Sequence, residues 1–189
     1  MLFLESAARP LLVAHAISAA VLVASTTHHL VWCRGYFRGE YARYKGERRF
    51  ALIACCAFVS TFLVGNLLYP TYKVRVRAEY FDNPAAIAEE AKLRAVQHHA
   101  VGVSSSEPPG VQSGLSPIAR LFDIKEHWVA LGCAASLVLL LLSRKAHPKE
   151  HPRVLALYLG LSMVACSTAW FGAIVGLLTA SYRSVGGVT

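Results

Sequence analysis

Four long stretches without a charged side chain limit what this chain can fold into: Pro10–Cys33, Phe50–Tyr72, Trp128–Ser143 and Val154–Tyr182, of 24, 23, 16 and 29 residues. A helix needs about 20 apolar residues to cross a bilayer. Three runs qualify directly. The third qualifies if its helix starts at Ile118–Phe122 and carries Asp123, Lys125 and Glu126 at the interface. Charged residues make up 16% of the chain, against roughly 25% in a soluble domain, so a soluble fold would lack the polar surface to cover these runs. The expected fold is all-α: a single integral membrane four-helix bundle with spans near 10–33, 50–72, 121–143 and 154–182. A small extracytoplasmic helical insertion near 73–120 separates the second and third spans. No period of 20–50 residues recurs, so a repeat array is not expected.

Val23-Ala24-Ser25 offers a small-residue stretch that a signal peptidase accepts. The segment ahead of it holds Glu5 and Arg9 with no net positive charge, and the apolar run continues to Cys33; the first run therefore reads as a membrane helix.

Orientation follows the basic residues near the helix ends. Loop 34–49 carries a net +4 and loop 144–153 a net +3, while residues 73–126 hold seven basic and seven acidic side chains. The two basic loops are expected in the cytoplasm and both termini outside, as in a bacterial inner membrane. Most of the formal +8 is thus a topology signal. Tyr36, Phe37, Tyr41 and Tyr44 interleave with the basic residues of the first loop, and interfacial anchoring explains them better than stacking on nucleic-acid bases.

Cys33, Cys55, Cys56, Cys133 and Cys166 all lie in or at the edge of apolar runs, and no Cys-x-x-Cys occurs. They read as small packing residues. In the insertion, Lys73-Val74-Arg75-Val76-Arg77 alternates basic and apolar residues, which suits a short strand or extended interfacial stretch. Asp82-Asn83-Pro84 supplies a cap and first-turn proline for a helix over Ala85–Ala100, and 104–117 reads as a linker. Gly172 and Gly176 mark a close helix approach without naming the partner. Asn66 is expected to bond a neighbouring helix.

No phosphate-binding glycine loop, Gly-x-Ser-x-Gly elbow or His-Glu-x-x-His motif is present. Chemistry therefore falls to histidines, since ionisable residues in a span are functional candidates. His15 and His29 are 14 residues apart, about 40° from one shared helix face and about 21 Å apart in depth. His127 opens the third span near the depth of His15. His147 and His151 follow that span, near the depth of His28 and His29. Two facing sets can be drawn: His15 with His127, and His28 or His29 with His147 or His151.

This spacing, with the helix count, resembles the membrane-bound b-type cytochromes, in which imidazoles from two helices of a four-helix bundle hold haem iron. The second and fourth spans depart from that pattern in lacking histidine. The resemblance implies haem b, axial ligands among His15, His127, His29 and His28, and electron transfer. An alternative is a non-catalytic accessory, assembly or scaffolding subunit of a larger membrane complex, such as a respiratory one, with lipids and other membrane subunits as partners and no nucleic acid. A third reading gathers His98, His99, Glu126, His127 and His15 around a divalent metal at the outer face. Lys73, Arg75 and Arg77 are candidates for lipid headgroups or a partner's acidic patch. Transport is disfavoured, because the later spans offer only Asn66 and hydroxyls along a path.

Overall fold

The structure, a computed structural model, describes residues 5–86, 88–89, 92 and 117–182. Four helices dominate it: α1 (Ala8–Tyr36), α2 (Tyr44–Tyr72), α3 (Pro117–Lys145) and α4 (Leu155–Tyr182). At 1.5 Å per residue each is about 43 Å long, and all four are long and apolar enough to cross a membrane. Their outward faces carry large apolar side chains such as Val13, Ile17, Leu63, Leu131 and Leu177. No strand occurs among the described residues.

Each helix packs on its neighbours in sequence, and α4 closes the ring on α1. The α1–α2 and α3–α4 connections share one end, called here the loop end. The segment following α2 lies at the other, the insertion end. In the middle layer Phe58 is fully buried among Leu22, Ala57, Ala165 and Ala169. Gly132 of α3 makes room for it: a Cβ there would stand 2.8 Å from Phe58 Cζ and collide with Thr168 Oγ1. Two glycines of α4 face α3, Gly172 against Val129 and Gly176 against the Lys125 ammonium.

Three expectations change. The α1–α2 loop is much shorter than 34–49, because α1 runs to Tyr36 and α2 begins at Tyr44. Glu47 is therefore a helical residue in the first turn of α2, where the helix dipole favours an acid. The Lys73–Arg77 stretch is not extended: α2 passes beyond Pro70 into a π-helical segment, Lys73–Phe81. Pro70 donates no backbone hydrogen bond and loosens the helix there. The segment ends with Asp82 N–H bonded five residues back to Arg77 O at 2.8 Å. Alternation would put Val74 and Val76 on one face. Instead Val76 is buried with Tyr72 and Phe81, four and five residues away, and Val74 stays exposed. Finally, Asn66 is exposed and its amide donates to Phe62 O, four residues back in its own helix.

The cap at Asn83 forms: its Oδ1 accepts from the N–H groups of Ala85 and Ala86 at 3.1 and 3.3 Å. The rest of the helix expected over Ala85–Ala100 lies largely outside the described residues, as does the linker expected over 104–117 except Pro117, which opens α3.

Candidate functional site

At the loop end, polar side chains converge inside the ring. His29 and Cys33 are four residues apart on α1 and share one face. Glu47 enters from α2 and Ser162 from α4. His29 is 1% exposed and Glu47 0%, so neither relies on water. A buried charge without a partner is costly, and both groups are fully engaged. His29 Nε2 lies 2.5 Å from Glu47 Oε1, and Tyr36 Oη donates to Glu47 Oε2 at 3.2 Å. The other imidazole nitrogen, Nδ1, is 3.1 Å from Ser162 Oγ. Cys33 Sγ stands 3.6 Å from His29 Nδ1 and 3.5 Å from Ser162 Oγ.

One donor atom each from His29, Cys33 and Glu47 fall within 4.8 Å of one another, the only such trio among the described residues. Ligands around a zinc-sized ion at 2.0–2.3 Å lie roughly 3.3–3.8 Å apart. The thiol must approach and the imidazole and carboxylate must part, each by about 1 Å. Tyr36, Tyr158 and Leu139 pack around Cys33 and close the cluster apolarly. The adjoining seam between Thr26, His29, Ala54, Ser136, Ser162 and Ala165 leaves no free volume for a water molecule.

The histidines singled out by sequence fall in different surroundings. His15 sits against Gly65 of α2, its Cε1 3.2 Å from where a Cβ would be, and its Nδ1 is buried without a hydrogen-bonding partner. His127 is exposed on α3 and bonds Asp123 O through Nδ1 at 2.9 Å. His28 is also exposed, stacked on Phe50 and edge-on to Trp32, with ring centroids 4.7 and 4.8 Å away. Gly46 admits that tryptophan, since a Cβ there would lie 2.6 Å from its ring. His147 packs on Tyr44 at 4.0 Å and accepts the Lys149 N–H, and His151 is an exposed loop residue. His29 thus meets a carboxylate and a hydroxyl where the facing sets had offered it a second histidine. His98 and His99 lie outside the described residues. Glu126, half-buried on α3, belongs to no metal-competent trio among those described.

Of the basic trio, Lys73 is exposed, Arg75 pairs with Glu79 at 3.1 Å, and Arg77 bonds Asp123 and Asp82. Arg77 therefore ties the π-helical segment to α3. Beside it Tyr72 stacks on Phe122 at 3.9 Å.

Sequence reasoning missed Glu47, counted as a loop charge, and Cys33, read as packing; it gave neither Ser162 nor Tyr36 a part in the chemistry. A signal for Glu47 was present: it precedes Ala51, Ala54 and Phe58 by 4, 7 and 11 residues, the spacing of one buried helix face. Comparison with known protein families, curated proteins and solved structures gives no match.

Proposed function

We propose that this is an integral membrane protein that binds one transition-metal ion of the zinc class between α1 and α2. The observation that carries this reading is the fully buried convergence of His29, Cys33 and Glu47. Imidazole, thiolate and carboxylate together suit zinc, while calcium and magnesium prefer oxygen alone. A divalent ion with one thiolate and one carboxylate leaves no net charge in the apolar interior, where net charge is expensive. Three protein ligands leave a fourth position for Tyr36 or an incoming ligand. By the positive-inside rule this centre lies near the cytoplasmic face. The role is that of a metal-holding protein in the membrane.

Haem b for electron transfer is the second reading. The unpartnered Nδ1 of His15 favours it, and the packing of Phe58 against Gly132 at mid-depth weighs against it.

The test is metal analysis of protein purified in mild detergent after growth with zinc, followed by cobalt substitution. The expected result is about one metal per chain and a thiolate-to-cobalt absorption band. Both should be lost in Cys33→Ser and Glu47→Gln and kept in Cys56→Ser. A folded wild-type protein that takes up neither zinc nor cobalt overturns the proposal. A dithionite-reduced spectrum with sharp haem bands that disappear in His15→Ala would put the second reading in its place.

A further inference from the structure

We infer that Ser162 of α4 is the positioning residue of this centre: by accepting a hydrogen from His29 Nδ1 it fixes the tautomer that presents Nε2 to the metal. The inference rests on the metal-binding reading and follows from counting hydrogens. A serine hydroxyl has one hydrogen and two lone pairs. Ser162 Oγ lies 2.8 Å from the Tyr158 carbonyl oxygen, 3.1 Å from His29 Nδ1 and 3.5 Å from Cys33 Sγ. The carbonyl can only accept, and it is the nearest partner, so the hydroxyl hydrogen goes there. Toward His29 the oxygen then has only lone pairs, and Nδ1 must supply the hydrogen. Ser162 is 1% exposed, so no solvent competes for either bond.

The order Tyr158 carbonyl, Ser162 hydroxyl, His29 Nδ1–H runs one way and leaves Nε2 aimed at Glu47 Oε1, 2.5 Å away; the hydrogen those two atoms share is the proton a bound metal displaces. Nε2 is the nitrogen a metal shared with Glu47 requires. In metal sites a histidine's second nitrogen is held in this manner, and loss of the partner typically costs 10–100-fold in affinity. Since α4 supplies no ligand of its own, this bond is how the fourth helix takes part. Alanine at 162 leaves Nδ1–H only the weaker contact with Cys33 Sγ at 3.6 Å and loosens the hold on the tautomer and ring angle; threonine retains the hydroxyl.

The experiment is competitive zinc titration of the full chain in detergent, for wild type, Ser162→Ala and Ser162→Thr, with the cobalt spectrum of each. Expected are a 10–100-fold weaker affinity and altered cobalt d–d bands in Ser162→Ala, with recovery in Ser162→Thr. Equal affinity and spectrum in Ser162→Ala overturn the inference while leaving the metal centre standing. No binding by wild type overturns the metal reading itself, and this inference with it. If Ser162→Ala does not fold, histidine ¹⁵N spectra of wild type decide the matter. Hydrogen on Nδ1 of His29 supports the inference, and its absence there overturns it.

Discussion

Glu47 has both carboxylate oxygens spoken for, one by His29 and one by Tyr36, in a site closed to solvent. Removing one member of such a buried pair leaves the other uncompensated, at about 3–5 kcal/mol, whereas replacing the whole polar set by apolar groups is often neutral. Glu47→Ala should therefore lower the unfolding midpoint in detergent markedly. The triple variant His29→Leu, Glu47→Leu, Tyr36→Phe should regain most of the loss while binding no metal. If the triple variant is as unstable as the single one, the cost does not come from uncompensated polarity. His28 and His29 show why residue type alone misled. They are adjacent, yet about 100° apart around the helix; one stacks outside on Phe50 and the other is sealed inside.

The α2 helix and its continuation hold most of what the sequence left unread at the level of elements. Charge density suggested a start near Phe50, but a helix end rich in arginine extends beyond the apolar run when its charged face points outward and one acid points in. After Pro70 the alternating valines looked like a strand. No strand partner exists among the described residues, and the helical path buries Val76 against Tyr72 and Phe81. Glycines on α3 and α4 give a paired prediction. Gly132→Leu drives a side chain into Phe58 and Thr168, an overpacking that costs about 1–3 kcal/mol. Gly160 has nothing within 4 Å of its would-be Cβ, so Gly160→Ala should be neutral or stabilise by up to about 1 kcal/mol. Thermal unfolding of both variants in one detergent checks the contrast. A Gly132→Leu protein as stable as wild type would contradict the close approach.

For the molecule as a whole, closure of the ring sets what the bundle can hold. Each layer is filled by side chains from at least two helices, and the polar cluster takes part of its cover from Tyr158 and Leu139 on the later pair. If the chain is membrane-embedded as proposed, its orientation is measurable. A lone cysteine introduced as Glu150→Cys in a background without the native cysteines should react with a membrane-impermeant maleimide only in inside-out vesicles. Lys73→Cys should react only from the opposite side. The reverse pattern would place the loop end, and the candidate metal centre with it, outside the cytoplasm.

Four long apolar helices, each long enough to cross a membrane, and the charge of the loops between them were legible in the sequence. Each of these depends on how many apolar residues follow one another or on where charges cluster, both properties of the chain read in one dimension. The sequence also marked Asn83-Pro84 as a helix start, because that cap is satisfied within three residues. Which ionisable groups meet became visible only in three dimensions. Glu47 and Ser162 lie 18 and 133 residues from His29, and no local pattern fixes such a meeting. It depends on helix rotation, on a glycine that lets Phe58 enter, and on α4 returning to pack against α1.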